Sequence, residues 1–460
     1  MKTTRIYRLS GLSSGMCSRI RDAQIEAARA WNLCRDLHLE ARHSHTRWPS
    51  QGELQKVLKG QFALHSQSAQ MVAQAFMAAV DATRENRRKG RTELKYPYKD
   101  KRFYPVLYPA QAVSVHESRI VLPMGRGRKS LVLPRPEGFP DEGVGLKVVY
   151  DGKDGYELHA TLEQPGAVER PGGRHATVDL GQIHQAAVTT DSPRGEALVV
   201  SGRGIRSEKR NLQRVHGKLK KKRARCSKGS RRDKKLARAM KKHSARSKRR
   251  IRDKRHKGTR AVIDFCEEQG VGTLYVGNPD GVREKRSGKK HNQRMSGWEY
   301  GRDIKYLKEK SERAAIECFT GMERGTSSRC PYCGHRQRPA GRSWRCKACS
   351  FEGHRDLVGS ANMHPLAFGE AVEFPTVART TYLRPGTLGY RGVRAAAAEY
   401  PVAGSSSSPD AGHHPPMDGV AGEVPEGGST REMAATTVLD GASYEAGAAP
   451  PMADPEAHPL

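Results

Sequence analysis

The sequence predicts a multidomain α+β protein, and three patterns in its 460 residues support that prediction. Short runs with the composition of β-strands fill 92–163, where Gly, Pro and Asp separate them. Apolar residues at helical spacing recur in 13–91 and again, among many basic residues, in 206–260. Two C-x-x-C pairs follow in 330–349. These patterns indicate a β-rich N-terminal domain with a helical insertion, followed by an α/β domain that carries a cysteine-rich insert.

The charge of the chain predicts a polyanionic partner. Lys and Arg number 82 against 49 Asp and Glu, which gives a formal net charge of +33. An excess of this size indicates a nucleic acid or an anionic membrane surface. We find no run of 18 apolar residues for a membrane span and no apolar signal-peptide core at the N-terminus. With its scattered cysteines, the chain is therefore expected to be a cytoplasmic, nucleoid-associated protein that binds nucleic acid without a membrane.

The N-terminal domain is predicted as a small β-barrel formed by 1–12 and 92–165. Residues 3–9 alternate like a strand, and the run Tyr150–Tyr156 has the Asp-Gly content of a hairpin turn. Helical spacing then predicts three helices within 13–91, the last of them at about 66–88. Because the first strand completes the barrel, we interpret 13–91 as an insertion into it.

The second domain begins with a predicted strand that ends at an aspartate. The run 175–178 has the pattern of a buried strand and leads into Asp179-Leu180-Gly181, and a second strand follows at 185–189. Folds of the ribonuclease H type present their first metal ligand in this way, although an ordinary turn aspartate explains the tripeptide equally well. A further buried strand, 272–276, ends in Gly-Asn-Pro-Asp. Helical spacing then predicts a helix from Trp298 to Phe319, ended by Gly321.

A strongly basic segment lies inside the second domain. Residues 206–260 contain 27 Lys or Arg and three acids. A solvated or disordered run is one interpretation of such charge. Apolar residues at helical spacing favour the other, in which long helices bind phosphates. The basic residues predicted to contact nucleic acid are Lys218, Lys220, Lys221, Lys222, Arg223, Arg231, Arg232, Lys248, Arg249 and Arg250.

The cysteine-rich insert predicts a structural metal. Its four cysteines, at two identical C-x-x-C spacings, suit a closed tetrahedral Zn²⁺ site, while a pair of disulfides is the alternative interpretation. The cysteines are Cys330, Cys333, Cys346 and Cys349. Asp356 follows seven residues later at the start of a predicted helix, where it is either a helix N-cap or a catalytic carboxylate.

This order of elements resembles the TnpB (OrfB) family, the RNA-guided nucleases of insertion sequences, and the related compact type V CRISPR effectors. The most specific residues are Thr-Ser-Ser-x-Cys-x-x-Cys-Gly at 326–334, Arg355-Asp356 and Ala361-Asn362. The resemblance implies a RuvC-type, ribonuclease H-like nuclease core in which three carboxylates hold two Mg²⁺ ions for phosphodiester cleavage. It also implies a guide RNA and a target DNA as partners, with base pairing reading the sequence.

The resemblance assigns Asp179 as the first catalytic acid and Asp356 as the third. The second acid is missing from its usual place, because the strand ends Val276-Gly277-Asn278 and an amide is a poorer Mg²⁺ ligand than a carboxylate. Asp280 is the nearest acid in sequence, and a plain turn residue is its alternative interpretation. This departure predicts weak cleavage or none.

The predicted domains follow from these assignments. They are a wedge-like β-barrel (1–12 and 92–165), a helical recognition insert (13–91), a RuvC-like nuclease domain (170–325 and 353–368), a zinc ribbon (326–352) and a disordered tail (369–460). The leading function is RNA-guided DNA cleavage. The alternatives are a nuclease-inactive RNA-guided binder that acts as a repressor, and a DNA-binding zinc protein without a guide. The sequence leaves the oligomeric state open.

Overall fold

The computed structural model divides the chain into two compact units, Lys2–Gln164 and the part that begins at Pro165. It describes residues 2–141, 144–151, 155–163, 166–167, 169–193, 195–279, 288–338, 341–382 and 394–399. Each unit has its own hydrophobic core.

The strands of the first unit form two sheets. The four-stranded sheet has the order β1-β7-β6-β2 and the three-stranded sheet the order β3-β4-β5. Strand β1 pairs antiparallel with β7, so the N-terminal strand joins the later strands and the helices between them form an insertion. The strands are β1 (Lys2–Arg8), β2 (Val106–Tyr108), β3 (Ser114–Val115), β4 (Arg119–Leu122), β5 (Leu131–Pro134), β6 (Gly145–Tyr150) and β7 (Tyr156–Glu163).

Three helices form the insertion: α1 (Ser14–His43), α2 (Gln51–Leu58) and α3 (Ser66–Arg88). Ser50 begins α2 with a capping box, in which Glu53 reaches back to its backbone N–H. Trp31 of α1 and Phe76 of α3 pack edge to face, with 5.3 Å between their ring centroids. The apolar spacing that predicts these helices therefore marks their buried faces.

The second unit is built on one seven-stranded mixed sheet of order β12-β11-β8-β9-β10-β15-β16. Its strands are β8 (Arg174–Asp179), β9 (His184–Thr190), β10 (Glu196–Ser201), β11 (Val271–Asn278), β12 (Glu317–Met322), β15 (Val377–Tyr382) and β16 (Arg394–Glu399). Strands β8, β11 and β12 are parallel. Their carboxyl ends consequently meet at one edge of the sheet.

Helices cover both faces of this sheet. They are α4 (Arg203–Arg223), α5 (Arg231–Glu268), α6 (Lys289–Ser296), α7 (Tyr300–Arg313), α8 (Arg355–Ala361) and α9 (His364–Phe368). Val188 of β9 packs in a core with residues of α5 and α7. Its neighbour Ala187 packs in a separate core with residues of α8 and the cysteine-rich insert. Because alternate residues of a strand face opposite ways, the two cores lie on opposite faces of the sheet.

The predicted helix from Trp298 to Phe319 is wrong in its last six residues. Helix α7 ends at Arg313, and Ala315 has a left-handed φ of 53° that reverses the chain. The residues that follow form strand β12, which pairs with β11. The inward spacing of Ala314 and Cys318 suits a helix, but the run Glu-Cys-Phe-Thr-Gly-Met is stabilised as a strand by its neighbour.

The predicted boundary of the disordered tail is also wrong for its first residues. Strand β15, which lies beyond residue 369, pairs in parallel with β10, and its Ala378 is 1% exposed. Strand β16 follows as its antiparallel partner. The Pro, Ala, Gly and Ser content of the C-terminal region predicts disorder. That composition is an average over many residues, so a strand of six residues has little effect on it.

Candidate functional site

Two acids stand at the carboxyl edge of the parallel strands. Asp179 is the last residue of β8, and Glu323 follows the last residue of β12. Strand β11 lies between them, with Val276 paired to Val178 and Gly277 paired to Gly321. Side chains two residues apart share a face of a strand, so Glu323 is on the same face as Gly321, Gly277 and Asp179.

Glu323 lies over Gly277, where a side chain of β11 would otherwise stand. A Cβ atom built at Gly277 would be 2.3 Å from Glu323 Oε2 and 2.9 Å from Met363 Sδ. Real Cβ atoms essentially never approach so closely. The glycine therefore makes room for the carboxylate that reaches across from the neighbouring strand.

The local structure after β12 holds Glu323 in place. The hydroxyl of Thr326 donates a hydrogen bond to the Glu323 carbonyl at 3.0 Å, and Gly325 supplies the left-handed turn with a φ of 86°. Glu323 Oε2 is buried and has no hydrogen-bond partner among the described residues. Burial raises the pKa of Glu323 to about 7. A cation bound at this buried carboxylate oxygen would provide the partner that it lacks.

Asp179 shares the electrostatic environment of Glu323. Burial raises its pKa well above the ordinary value, and the charges of Glu323 and Asp356 raise it further. Gly359 of α8 permits a close approach here, because a Cβ at that position would be 2.6 Å from Asp179 Oδ2. The charges of Glu323 and Asp356 thus act on a buried Asp179, and a divalent cation would relieve that repulsion.

Asp356, in the first turn of α8, has a different set of partners. Its side chain is 14% exposed, and its Oδ2 accepts a hydrogen bond from His184 Nδ1 at 2.7 Å. Arg342 Nη1 donates to both carboxylate oxygens, at 2.6 and 2.7 Å. Burial opposes ionisation, but the bond from His184 and the charge of Arg342 outweigh it, so the pKa of Asp356 lies below its ordinary value.

Buried hydrogen bonds attach α8 to the sheet beside Asp179. Ser360 Oγ donates to the Thr177 carbonyl at 2.9 Å, and Thr177 Oγ1 donates to the Ser360 carbonyl at 2.7 Å. Asn362 Nδ2 donates to the carbonyls of Thr326 and Arg329 at 2.7 and 2.8 Å. The Ser-Ala-Asn motif therefore joins α8 to β8 and to the turn after Glu323, which brings the three acids together.

The four cysteines of the insert lie close enough to bind one metal ion. Their sulfur atoms are all within 4.8 Å of one another. Cys330 Sγ is 3.7 Å from Cys349 Sγ, and Cys333 Sγ is 3.5 Å from Cys346 Sγ. Four ligands at the usual Zn–S length of about 2.3 Å stand about 3.8 Å apart in a tetrahedron. The cluster could therefore bind zinc with little adjustment.

The insert leads directly into Asp356. Its hairpin pairs β13 (Ser343–Arg345) with β14 (Glu352–His354), and α8 begins at the next residue. Trp344 of β13 is 1% exposed and packs in the same core as Leu357 and Val358 of α8. The backbone N–H of Arg355 donates to the Arg342 carbonyl at 2.9 Å. The position of Asp356 therefore depends on the folding of the cysteine-rich insert.

Residues 206–260 lie in α4 and α5, which form an antiparallel pair. His216 of α4 and Ser244 of α5 are in contact at 3.1 Å, and Gly229 with a φ of 82° stands in the turn between the helices. Of the ten predicted nucleic-acid residues, seven are exposed: Lys218, Lys220, Lys221, Lys222, Arg231, Arg232 and Lys248. Arg223 instead bonds Asp233 at 2.7 Å, and Arg250 bonds Glu208 at 3.2 Å. Within the described residues, no helix is long and apolar enough to cross a membrane.

In the structure the charges of Asp356 and of Glu323, an acid that the sequence reasoning missed, both act on Asp179. Asp280 lies outside the described residues. Asn278 lies one residue beyond Gly277, and the two-residue period of the strand turns it to the opposite face from Asp179. A signal for Glu323 exists in the sequence, since it stands three residues before Thr326 at the end of a run of strand-forming residues. That signal required β12 to be recognised as a strand.

Two family models match the chain. One is described as "Probable transposase" and covers residues 159–283. The other is described as "Cas12f1-like, TNB domain" and covers residues 300–363. The first covers Asp179 and the basic helices, and the second covers Glu323, the cysteines and Asp356.

Individual proteins resemble the chain more distantly. A TnpB-like protein of Methanocaldococcus jannaschii is 28% identical over 156 residues, which are 33% of this chain and 56% of that protein. The chain thus matches little more than half of that relative's length. A Cas12f1–sgRNA–target DNA complex gives a TM-score of 0.55 at 14% identity, covering 77% of this chain and 83% of that one. A CasPhi-2 (Cas12j) structure with crRNA covers 81% and 99%, at a TM-score of 0.41 and 10% identity.

Proposed function

The chain belongs to the TnpB (OrfB) family, and we propose that it is an RNA-guided DNA endonuclease. In this proposal the second unit is a RuvC-like, ribonuclease H-like nuclease domain with an inserted zinc ribbon. The first unit is a wedge-like β-barrel with a helical recognition insert. Guide RNA and target DNA are the partners, and base pairing between them selects the target.

The convergence of Asp179, Glu323 and Asp356 is the observation that carries the proposal. These acids come from three separate parts of the chain, and the charges of Glu323 and Asp356 both raise the pKa of Asp179. Asp179 and Glu323 both have raised pKa values, and Glu323 Oε2 is buried without a hydrogen-bond partner among the described residues. A purely structural role does not account for the buried, unpaired Glu323 Oε2 or for the repulsion that Asp179 experiences, because both destabilise the fold.

The donor set fits hard divalent cations. Carboxylate oxygens are the ligands that Mg²⁺ prefers, and a site for two such ions needs several of them. Asp179, Glu323 and Asp356 would hold the ions, which when bound supply an activated water and stabilise charge on the phosphate. In this arrangement Glu323 replaces the acid that the family places at the end of β11. The loss of that acid at Gly277 therefore does not by itself predict an inactive enzyme.

The basic helices support a nucleic-acid partner. Seven of the ten Lys and Arg residues predicted to contact nucleic acid are exposed on α4 and α5, in a chain with a net charge of +33. Basic side chains on helices neutralise phosphates without reading bases. We propose that these helices bind the backbone of the guide RNA, the target DNA or their heteroduplex, and that the zinc ribbon, held by its four cysteines, positions Asp356.

A nuclease-inactive RNA-guided binder is the second candidate function. The contact of Arg342 with both oxygens of Asp356 favours it, since a guanidinium there competes with a metal ion. The two candidates share the fold and the partners and differ only in cleavage. An Arg342 side chain that is 39% exposed has room to move away, so we rank cleavage first.

The experiment begins with the RNA that co-purifies with the full-length protein. Sequencing this RNA identifies the guide, and a duplex that matches it serves as the target. We expect guide-dependent binding of that duplex, and Mg²⁺-dependent cleavage that Asp179→Asn abolishes without loss of binding. Binding that does not depend on the guide sequence would contradict both RNA-guided candidates. Guided binding without cleavage in Mg²⁺ or Mn²⁺ would support the second candidate, a nuclease-inactive RNA-guided binder that acts as a repressor.

A further inference from the structure

Two histidines lie beside Asp356: His184 begins β9, and His354 ends β14. One donor atom each of His184, His354 and Asp356 lies within 4.8 Å of the others. The imidazole rings of His184 and His354 have centroids 4.9 Å apart. We propose that these three residues form a binding site for one divalent transition-metal ion, with two imidazole nitrogens and one carboxylate oxygen as ligands.

The burial of the donors supports this assignment. The side chain of His184 is 9% exposed and that of Asp356 is 14% exposed. Nδ1 of His354 is buried and has no hydrogen-bond partner among the described residues. A buried ring nitrogen without a partner destabilises a fold unless something else satisfies it. A metal ion bound through this nitrogen would provide the missing partner.

The chemistry of the donors defines the class of metal. Imidazole nitrogens suit Fe²⁺, Ni²⁺, Cu²⁺ and Zn²⁺, and two histidines with one carboxylate leave open positions for water or substrate, where Mn²⁺ can serve as a paramagnetic probe. Mg²⁺ prefers oxygen ligands throughout. The site therefore differs in metal preference from the carboxylate set of Asp179 and Glu323, although it shares Asp356 with that set.

The backbone fixes the three donors firmly. His184 begins β9, the central strand next to β8. His354 ends β14, where its backbone pairs with Ser343 of the cysteine-rich hairpin. Asp356 follows in α8, which is hydrogen-bonded to β8 through Ser360. Donors held on strands and a docked helix need only side-chain rotation to close around an ion.

Arg342 competes with a metal ion for the carboxylate of Asp356. A single nitrogen of its guanidinium contacts both oxygens of Asp356, in the position of a cation. The side chain is 39% exposed and stands at the start of the hairpin, so it can turn outward when an ion binds. Removal of the Arg342 charge should therefore strengthen metal binding.

The inference deepens the proposed function, because it assigns a class of metal ion to a group of residues that includes Asp356. Its test measures metal binding and requires no DNA cleavage. Full-length, tag-free protein with its cysteine cluster filled with zinc is titrated with Mn²⁺. Electron paramagnetic resonance measures the free Mn²⁺, and pulsed measurements detect ¹⁴N couplings of the bound ion. We expect ¹⁴N couplings from two histidines in the wild type.

The variants decide which residues provide the nitrogens. His184→Ala and His354→Ala should each remove one ¹⁴N coupling and weaken Mn²⁺ binding about tenfold or more, since even outer-shell partners of metal ligands are worth about 10- to 100-fold. Arg342→Gln should tighten binding. The matched control is His175→Ala, because His175 pairs with Asp191 at 3.0 Å in the same unit. That control should change neither signal.

Three outcomes decide the inference and distinguish it from the proposed nuclease. Bound Mn²⁺ without ¹⁴N couplings in the wild type would overturn the inference, whatever the variants do, because carboxylates alone would then hold the ion. Failure to bind Mn²⁺ even in Arg342→Gln would overturn it as well. Retained ¹⁴N couplings in a protein that does not cleave DNA would support this site and count against the nuclease.

Discussion

Glu323 occupies the space that Gly277 leaves on the neighbouring strand, with its Oε2 2.3 Å from where a Cβ of residue 277 would stand. The acid and the glycine are complementary. A larger residue at position 277 would displace the Glu323 carboxylate, and a smaller residue at position 323 would leave the space over Gly277 empty. This relationship explains how the site keeps three carboxylates although β11 ends in Gly277-Asn278 rather than in an acid.

The first prediction concerns that space. Gly277→Ala should push the Glu323 carboxylate out of place and reduce cleavage, because the backbone of β11 is fixed by pairing on both sides. The measurement is the cleavage rate of guide-loaded protein at saturating Mg²⁺. Gly173→Ala is the control, since its Cβ meets nothing within 4 Å. Equal rates for Gly277→Ala and the wild type would show that Glu323 is not held against β11.

The second prediction concerns the cysteine cluster. Cys346→Ser or removal of the metal by a chelator should lower the free energy of unfolding by about 4 kcal/mol or more, the scale of loss that follows removal of a structural metal. Metal analysis should find about one zinc per chain. Thermal melting with and without chelator measures the loss. Cys226→Ser, in the turn between α4 and α5, should leave zinc content and melting unchanged.

The third prediction concerns the exposed lysines of α4. Changing Lys218, Lys220, Lys221 and Lys222 together to Gln should weaken binding to all sequences alike. The slope of log K against log salt should become shallower by up to about 0.9 for each lost phosphate contact with duplex DNA. Arg250→Gln is the contrast, because Arg250 bonds Glu208 and should affect stability more than the salt slope. An unchanged slope in the quadruple variant would show that these four lysines of α4 do not contact phosphates.

The fourth prediction concerns Lys310 of α7. Burial and the nearby Arg260 lower its pKa to about 7 from 10.5. Its ammonium group donates to Thr259 Oγ1 at 2.7 Å. Between pH 7 and 10.5 the unfolded chain keeps this proton while the folded chain loses it, so stability should rise with pH across that window.

Lys310→Met should flatten this rise, by an amount on the order of 1 kcal/mol. Chemical denaturation at several pH values from 7 to 10 measures it. Lys305→Met on the same helix is the control, since Lys305 is 40% exposed and pairs with Glu309. A wild-type slope in the Lys310 variant would mean that another group causes the pH dependence.

Local patterns were enough to predict part of this site. The two C-x-x-C spacings and the Arg355-Asp356 pair lie within one short segment, and Asp179 ends a strand that its own apolar residues define. Such features depend on neighbours in sequence, and the structure places the four cysteines close enough to bind one metal ion.

Glu323 could not be predicted in the same way. Its position depends on the pairing of β12 with β11, whose residues are more than 40 positions apart in the chain. The periodicity around Ala314 and Cys318 suits a helix, and only the left-handed Ala315 and the edge of the sheet convert the segment into a strand. The contact of Arg342 with Asp356 is equally hidden, because it follows from the register of β13 on β14.

The central claim is that Glu323 is the second catalytic acid, and moving that acid between strands tests it. Glu323→Gln should reduce guide-directed cleavage about 100-fold or more while target binding persists, since even outer-shell partners of metal ligands are worth about 10- to 100-fold. Asn278→Asp should not restore activity to that variant, because residue 278 faces away from Asp179.

The decisive measurement is the cleavage rate of the exchanged protein, Gly277→Glu with Glu323→Gly, beside each single change. The account predicts that either single change impairs cleavage, Gly277→Glu by collision and Glu323→Gly by loss of the acid. The double change returns one carboxylate to the same space and should recover a large part of the rate. Wild-type cleavage by Glu323→Gly or Glu323→Gln would contradict the account, because another acid would then complete the site.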